Sequence, residues 1–153
     1  MGISLDDLMA LDGKEIEVGF SSSKLHQVNE STKKFGESMG LKTPSSPLDM
    51  ASLAKILNDG YFNNLVGIPV EGRPFMDNAF REIKRNFGSI MKSSLSSPNP
   101  ELSMANQFKK IIEDSMVNYA YQENSPRTEK AKGSSTPLID SGELHNSVEV
   151  FNV

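Results

Sequence analysis

The sequence predicts an α+β fold, a small antiparallel sheet with two long amphipathic helices packed on one face, plus long loops. Three observations carry this. Lys14 to Phe20 alternates, with Ile16, Val18 and Phe20 on one face and Glu15, Glu17 and Gly19 on the other, the period of a half-buried strand. Two later stretches, Phe75 to Met91 and Leu102 to Tyr119, repeat apolar residues at three- and four-residue steps, the period of a helix with one buried side. Val148, Val150 and Val153 supply β-branched positions for a closing strand, and an ordered chain end of this kind needs a partner strand. A length of 153 residues suits one core, so residues 1–153 are read as a single domain.

Each element has a local reason. Ser4 and Asp7 have the spacing of a capping box, and Leu5, Leu8, Met9 and Leu11 continue as a short helix that Gly13 ends. Leu25, Val28, Thr32, Phe35 and Met39 make a weak helical stripe that gives way to Ser, Gly and Pro, so 21–47 reads as an extended loop or interaction segment. Ser46-Pro47-Leu48-Asp49 places a cap, an N1 proline and an acid at N3 ahead of Met50, Leu53, Ala54 and Leu57, which predicts a helix running to Gly60. A turn over Gly67 to Pro74 follows. Phe75, Met76, Ala79, Phe80, Ile83, Phe87, Ile90 and Met91 then fall on one helical face, opposite Arg81, Lys84, Arg85 and Lys92. Asn99-Pro100-Glu101 restarts a helix whose apolar side is Leu102, Ala105, Phe108, Ile112, Met116 and Tyr119. The short Ser/Pro linker between the two makes an antiparallel helical hairpin the natural packing. Each large side chain it buries contributes about 1.5 to 3 kcal/mol. Gln122 to Ser135 holds almost nothing apolar, so 122–135 reads as a second extended loop. Pro137 fixes its own φ and pushes Thr136 extended, after which Asp140 or Ser141 can cap a short helix leading to the last strand.

Composition narrows the function classes. Hydrophobic residues make up 37% of the chain, mean hydropathy is −0.40, and no apolar run approaches the ~20 residues that span a bilayer. The opening MGISLDDLMALDG carries acids and no sustained apolar stretch, which does not fit a secretory signal, and Asp6 stands where myristoylation asks for Ser or Thr. With no cysteine there is no disulfide framework, thiolate nucleophile or cysteine metal site, in keeping with synthesis in a reducing cytoplasm. A formal charge of −4 and a pI near 5.2 argue against wrapping nucleic acid, which relies on clustered Lys and Arg.

Candidate chemistry is sparse. His26 and His145 stand far apart, with no His-Glu-x-x-His and no spaced carboxylate cluster beside them. Glu113 and Asp114 are adjacent on a helix and diverge, while Asp140 and Glu143 have capping-box spacing. The cations at 81, 84, 85 and 92 suit either phosphate contact or a solvated helix face. Lys130-Ala131-Lys132-Gly133 lacks the strand and helix that frame a phosphate-binding loop. Arg73-Pro74-Phe75 fits two roles equally, helix initiation with Phe75 in the core or an Arg73 anchor on a neighbouring subunit.

Two motifs carry a family resemblance. The stretch SPRTEKAKGSSTPLIDSGEL, Ser125 to Leu144, followed by Ser147 and a closing strand, resembles the C-terminal signature of the tail-completion, or head-tail connector (neck), proteins of long-tailed bacteriophages. Upstream, Ile68-Pro69-Val70-Glu71-Gly72-Arg73-Pro74-Phe75 looks like that family's Ile-Pro-x-Arg-Pro-Phe turn, which launches a long helix, with two further residues between Val70 and Arg73. The resemblance covers the second half of the chain. It implies a non-enzymatic virion component at the head-tail junction, made in the host cytoplasm, with no cofactor, no metal and no membrane. It also implies a closed, six-fold ring as homo-oligomer, with the head-side connector and a tail-tube or tail-terminator protein as neighbours and DNA passing through without tight binding. The interaction residues it points to are Arg73, Pro74, Phe75, Arg127, Thr128, Lys132 and Gly133. Two alternatives stand beside it, a head-closure or minor capsid subunit and, in another class, a small mobile-element enzyme or DNA-binding accessory.

Overall fold

The computed structural model describes residues 6, 9, 11–26, 33, 34, 37, 38, 40, 48–63, 67–119, 121 and 142–153. In chain order their elements are β1 (Glu17–Phe20), α1 (Met50–Asp59), β2 (Gly60–Asn63), β3 (Ile68–Glu71), α2 (Phe75–Leu95), α3 (Pro100–Val117), α4 (Glu143–Asn146) and β4 (Val148–Asn152). The fold is α+β, with two longer helices in close contact, as the sequence predicts. Most of 21–47 and all of 122–135 lie outside the described residues, as do most of the expected N-terminal helix and the Thr136 to Ser141 turn.

The first and last strands pair. Val18 lies opposite Val150 and Phe20 opposite Val148 in an antiparallel ladder, while Glu17 faces Asn152, so β4 carries one residue more than β1 over this step, a bulge at Phe151. The ladder begins at Glu17, later than the expected start at Lys14, because a turn hydrogen bond from the Lys14 amide to the Leu11 carbonyl (3.1 Å) occupies the entry. Lys14 reaches Glu101 at the start of α3 instead (3.4 Å). Val153 falls beyond the strand and is exposed.

The helix after the first loop starts at Met50, with Asp49 rather than Ser46 as its cap. Asp49 accepts from the Ser52 amide (2.9 Å) and the Ser52 hydroxyl (2.8 Å). The reason is the neighbouring backbone. The His26 amide donates to the Leu48 carbonyl and the Met50 amide donates to the Lys24 carbonyl, both at 2.8 Å, so Asp49 is held extended beside Lys24–His26 and the helix begins at Met50.

The expected turn over Gly67 to Pro74 contains β3, which pairs with β2 as a hairpin and forms a second two-stranded sheet, not a third strand of the first. Its base is a backbone-to-backbone contact. A Cβ on Gly72 would lie 2.5 Å from the Asn58 carbonyl oxygen, and one on Gly60, at φ 87°, would lie 2.6 Å from the Gly72 nitrogen.

The two long helices form the predicted antiparallel hairpin. Asn99 caps α3 through the Leu102 amide (3.2 Å) with Pro100 at N1. Gln107 donates to the Ser94 hydroxyl (2.9 Å) near the tight end, and Asn78 donates to the Tyr121 hydroxyl (3.3 Å) at the open end. From the sheet side, α3 packs on β1 and β4, and α2 lies along α3. The core joins Met50, Ala54, Phe75, Ala79, Ile112, Met116, Leu144 and Val148, with Phe20 edge-to-face against Phe75 at 5.9 Å.

The buried faces of these helices differ from the expected ones. On α2, Phe75, Ala79 and Ile90 are buried together with Asn78 and Ser94, whereas Phe80 and Phe87 are 62% and 45% exposed. At 100° per residue these two phenylalanines stand roughly 80 to 100° round the helix from Ala79, past the line that α3 covers. On α3, Ala105, Ile112 and Met116 are buried as expected, joined by Met104 and Ser115, while Leu102 and Tyr119 face solvent. The short α4 has Gly142, at φ 80°, at its N-cap position, with no side-chain cap there. Leu144 enters the core, and the Ser147 hydroxyl donates back to the Leu144 carbonyl (2.7 Å).

Candidate functional site

The Arg73-Pro74-Phe75 turn is built into the molecule. β3 ends at Glu71, the Arg73 amide donates to the Leu57 carbonyl (2.9 Å), and α2 starts at Phe75 with Pro74 at its N-cap. Phe75 has no exposed surface and meets Phe20, so it acts in helix initiation and core packing. Arg73 is 8% exposed, and burial holds its guanidinium below the usual arginine pKa, with nearby Tyr61 opposing that shift. A guanidinium so enclosed has little surface to offer a neighbour; of the three residues Pro74 alone is exposed. Arg127, Thr128, Lys132 and Gly133 lie outside the described residues.

The predicted basic group is on the outer surface of α2, and three of its four members have local partners. Arg81 donates to the Asn78 side-chain oxygen (2.7 Å), Arg85 pairs with Glu82, and Lys84 places its ammonium 5.5 Å from the centre of the Phe80 ring. Asn86 adds a hydrogen bond to the Glu82 carboxylate (2.7 Å). Asn78, Arg81, Glu82, Arg85 and Tyr119 line an open cleft of about 420 Å³ between the start of α2 and the end of α3. Beneath it, Tyr121 donates to the Ser115 carbonyl, and burial pushes its phenol pKa up. With charge of both signs around its mouth, the cleft has no single-sign field to select a phosphate.

The histidines stay apart. His26 contacts the Glu143 carboxylate through Nδ1 (2.9 Å), tying the loop after β1 to α4, and His145 contacts Asn146 (3.2 Å). Among the described residues no group of three or more His, Cys, Asp or Glu could hold a metal ion, and no helix is long and apolar enough to cross a membrane.

The feature that sequence reasoning missed is apolar surface. Tyr61, Phe62 and Ile68 of the β2–β3 hairpin are exposed, as are Phe80 and Phe87 along α2. Each set is hidden in the sequence for its own reason. The hairpin strands are four residues each and lack alternation, and the two phenylalanines sit inside a stripe that reads as core throughout. Compared with known proteins, the chain matches no family model, no curated protein and no solved structure.

Proposed function

We propose that the chain is a structural virion subunit that forms a closed ring at the head-tail junction, completing the tail and docking it to the head-side connector. The observation that carries this reading is the placement of large apolar side chains in solvent on a projecting hairpin and along one helix, with Phe62 at 56% and Phe80 at 62% exposure. Scattered apolar residues are ordinary on a monomer, but aromatic residues gathered on two elements mark surfaces that association covers. The two motifs support it further. Ile68 to Phe75 runs from β3 straight into the long helix α2, and Gly142 to Asn152 supplies the short helix and strand that close the sheet.

Mechanism here is assembly. A ring of identical copies buries complementary faces only when the geometry closes, so affinity is gained at the end of assembly. Each copy carries a formal −4, and a channel wall with more acid than base lets duplex slide through instead of holding it by its phosphates. Analytical ultracentrifugation and negative-stain microscopy of the purified protein test the reading: rings are expected, and a monomer at every accessible concentration overturns it. Duplex binding is expected to be weak. Tight binding at physiological salt that is lost when Arg81, Lys84 and Arg85 are changed to Glu would favour the nucleic-acid alternative.

A further inference from the structure

The β2–β3 hairpin and the outer line of α2 each have apolar surface that the described residues of their own chain leave uncovered. In an antiparallel pair, residues directly opposite share a face, so Tyr61 with Val70 forms one side of the hairpin and Phe62 with Pro69 the other. A two-stranded hairpin standing alone is marginal in water. This one is extended from its Gly60 and Gly72 base with Phe62 and Ile68 more than half exposed. On α2, Phe80 and Phe87 lie on one line with Lys84 stacked over the first ring, and Arg81 lies farther round the solvent side.

Charge selects the partner for each surface. If the α2 line met the same line on a second copy about a two-fold axis, Phe80 would meet Phe87 and the two Lys84 ammonium groups would approach each other near the axis, a like-charge juxtaposition that costs rather than stabilises. The hairpin strands carry one charge, Glu71, and it is acidic. An arm that is apolar with one acid fits a line flanked by Lys84 and Arg81, the Asp77 carboxylate at its start being engaged by the Asn58 side-chain amide (3.0 Å).

We propose that the β2–β3 hairpin of one copy docks on the Phe80–Phe87 line of α2 of the next copy. The inference rests on the ring reading and supplies its interface. Because arm and acceptor are different surfaces of the same chain, the contact is heterologous: every copy gives one arm and receives one, which is the arrangement that closes into a ring when the rotation permits. Phe62, with Pro69 on the same side of the arm, is the anchor, and Phe80 with its overlying Lys84 is the receiving surface, aromatic residues being the usual energetic centre of an interface.

The absence of cysteine makes the test direct. Phe62→Cys and Phe87→Cys are prepared as separate single variants, one of them isotopically labelled, mixed under assembly conditions and mildly oxidised, and the disulfide-linked peptides are mapped by mass. The expected product is the 62-to-87 link between labelled and unlabelled copies, well in excess of 62-to-62 and 87-to-87. A statistical mixture of the three overturns the docking. Rings that form without the 62-to-87 link also overturn it while leaving the ring standing. A 62-to-87 link in species that stop at two copies or grow as open filaments supports the docking and overturns the closed ring. As a second variant, Phe80→Glu changes an exposed position, so it is expected to keep the parent circular dichroism and lose the assembled species; unchanged assembly overturns the proposal.

Discussion

Leu144 and Val148 connect the end of the chain to the core, and their truncation tests the packing of β4 quantitatively. Both are enclosed, at 6% and 1% exposure, within the cluster that also holds Phe75, Ile112 and Met116. Leu144→Ala should cost about 2 to 5 kcal/mol, the range for a leucine lost from a tight core. Val148→Ala removes two carbons at roughly 0.8 kcal/mol each plus a cavity contribution, so about 2 kcal/mol. The pair shares one cluster, so the double variant need not be the simple sum, but it should lose on the order of 4 to 7 kcal/mol. A domain has ~5 to 15 kcal/mol in total, so the double variant stands at or near the unfolding threshold. Point substitutions are preferred to cutting the chain after Gly142, because deletion also removes the cost of ordering the deleted residues and the two effects oppose each other. Urea unfolding followed by circular dichroism reads the result: the midpoint of each single variant should fall with its slope unchanged. Val153→Ala, at 53% exposure, is the control and should shift stability by less than about 0.5 kcal/mol. A double variant with the parent midpoint would refute the placement of β4 in the core.

Further outcomes follow from single side chains. Burial raises the Tyr121 phenol above its ordinary pKa of 10.0, so its contribution is intact below that value and is lost as pH rises through the raised one; stability should fall on the alkaline side, and Tyr121→Phe should flatten that fall while losing about 1 kcal/mol with its hydrogen bond to Ser115. The amide and hydroxyl of Ser52 hold the Asp49 carboxyl below its ordinary 3.8, so its contribution is present above that pH and lost as pH falls through the lowered value; Asp49→Asn keeps a capping oxygen and should lose less stability on acidification, read from urea midpoints across a pH series. Gly72→Ala drives a Cβ into the backbone of Asn58 and Asp59 and should cost more than about 2 kcal/mol, whereas Gly88→Ala, with open space around it inside α2, should gain about 0.5 to 1 kcal/mol in thermal unfolding. Removing Arg127 to Lys132 should leave the circular dichroism spectrum intact and block head-tail joining in an extract; normal joining would remove that segment from the proposed contacts.

Legibility in the sequence followed the number of independent local signals each element carries. The pairing of the first and last strands was readable because alternation at Val18 and Phe20 and β-branching at Val148 and Val150 both point to half-buried surface. The second long helix announced itself through Asn99, Pro100 and Glu101, three residues that each favour a helix start. The first turn of α1 was misplaced because Ser46 and Asp49 are both competent caps, and the choice between them depends on a ladder with Lys24–His26 that no local signal encodes. The β2–β3 hairpin was hidden by Pro69 and by apolar residues on both faces, which together look like a turn. For α2 the apolar stripe is wider than the area one neighbour can cover. Which edge remains outside is decided by how α3 lies against it, and Ser94 is buried because Gln107 satisfies it there. That same excess width leaves Phe80 and Phe87 outside, so the proposed docking line was present in the sequence as residues but not as a surface.

The close approach of Gly60 and Gly72 has a consequence for how this protein can change over time. The hairpin leaves the body at a crossing made of main-chain atoms, where Gly60 and Gly72 put no side chain between the two backbones. Residues along the arm can therefore be exchanged to suit a different neighbour while the arm keeps its aim. Two positions are excluded from that freedom, since a single methyl group at either one would meet backbone and force the crossing apart. Aim and adhesion are encoded separately, the first in the absence of side chains at 60 and 72, the second in the side chain that the arm presents at 62.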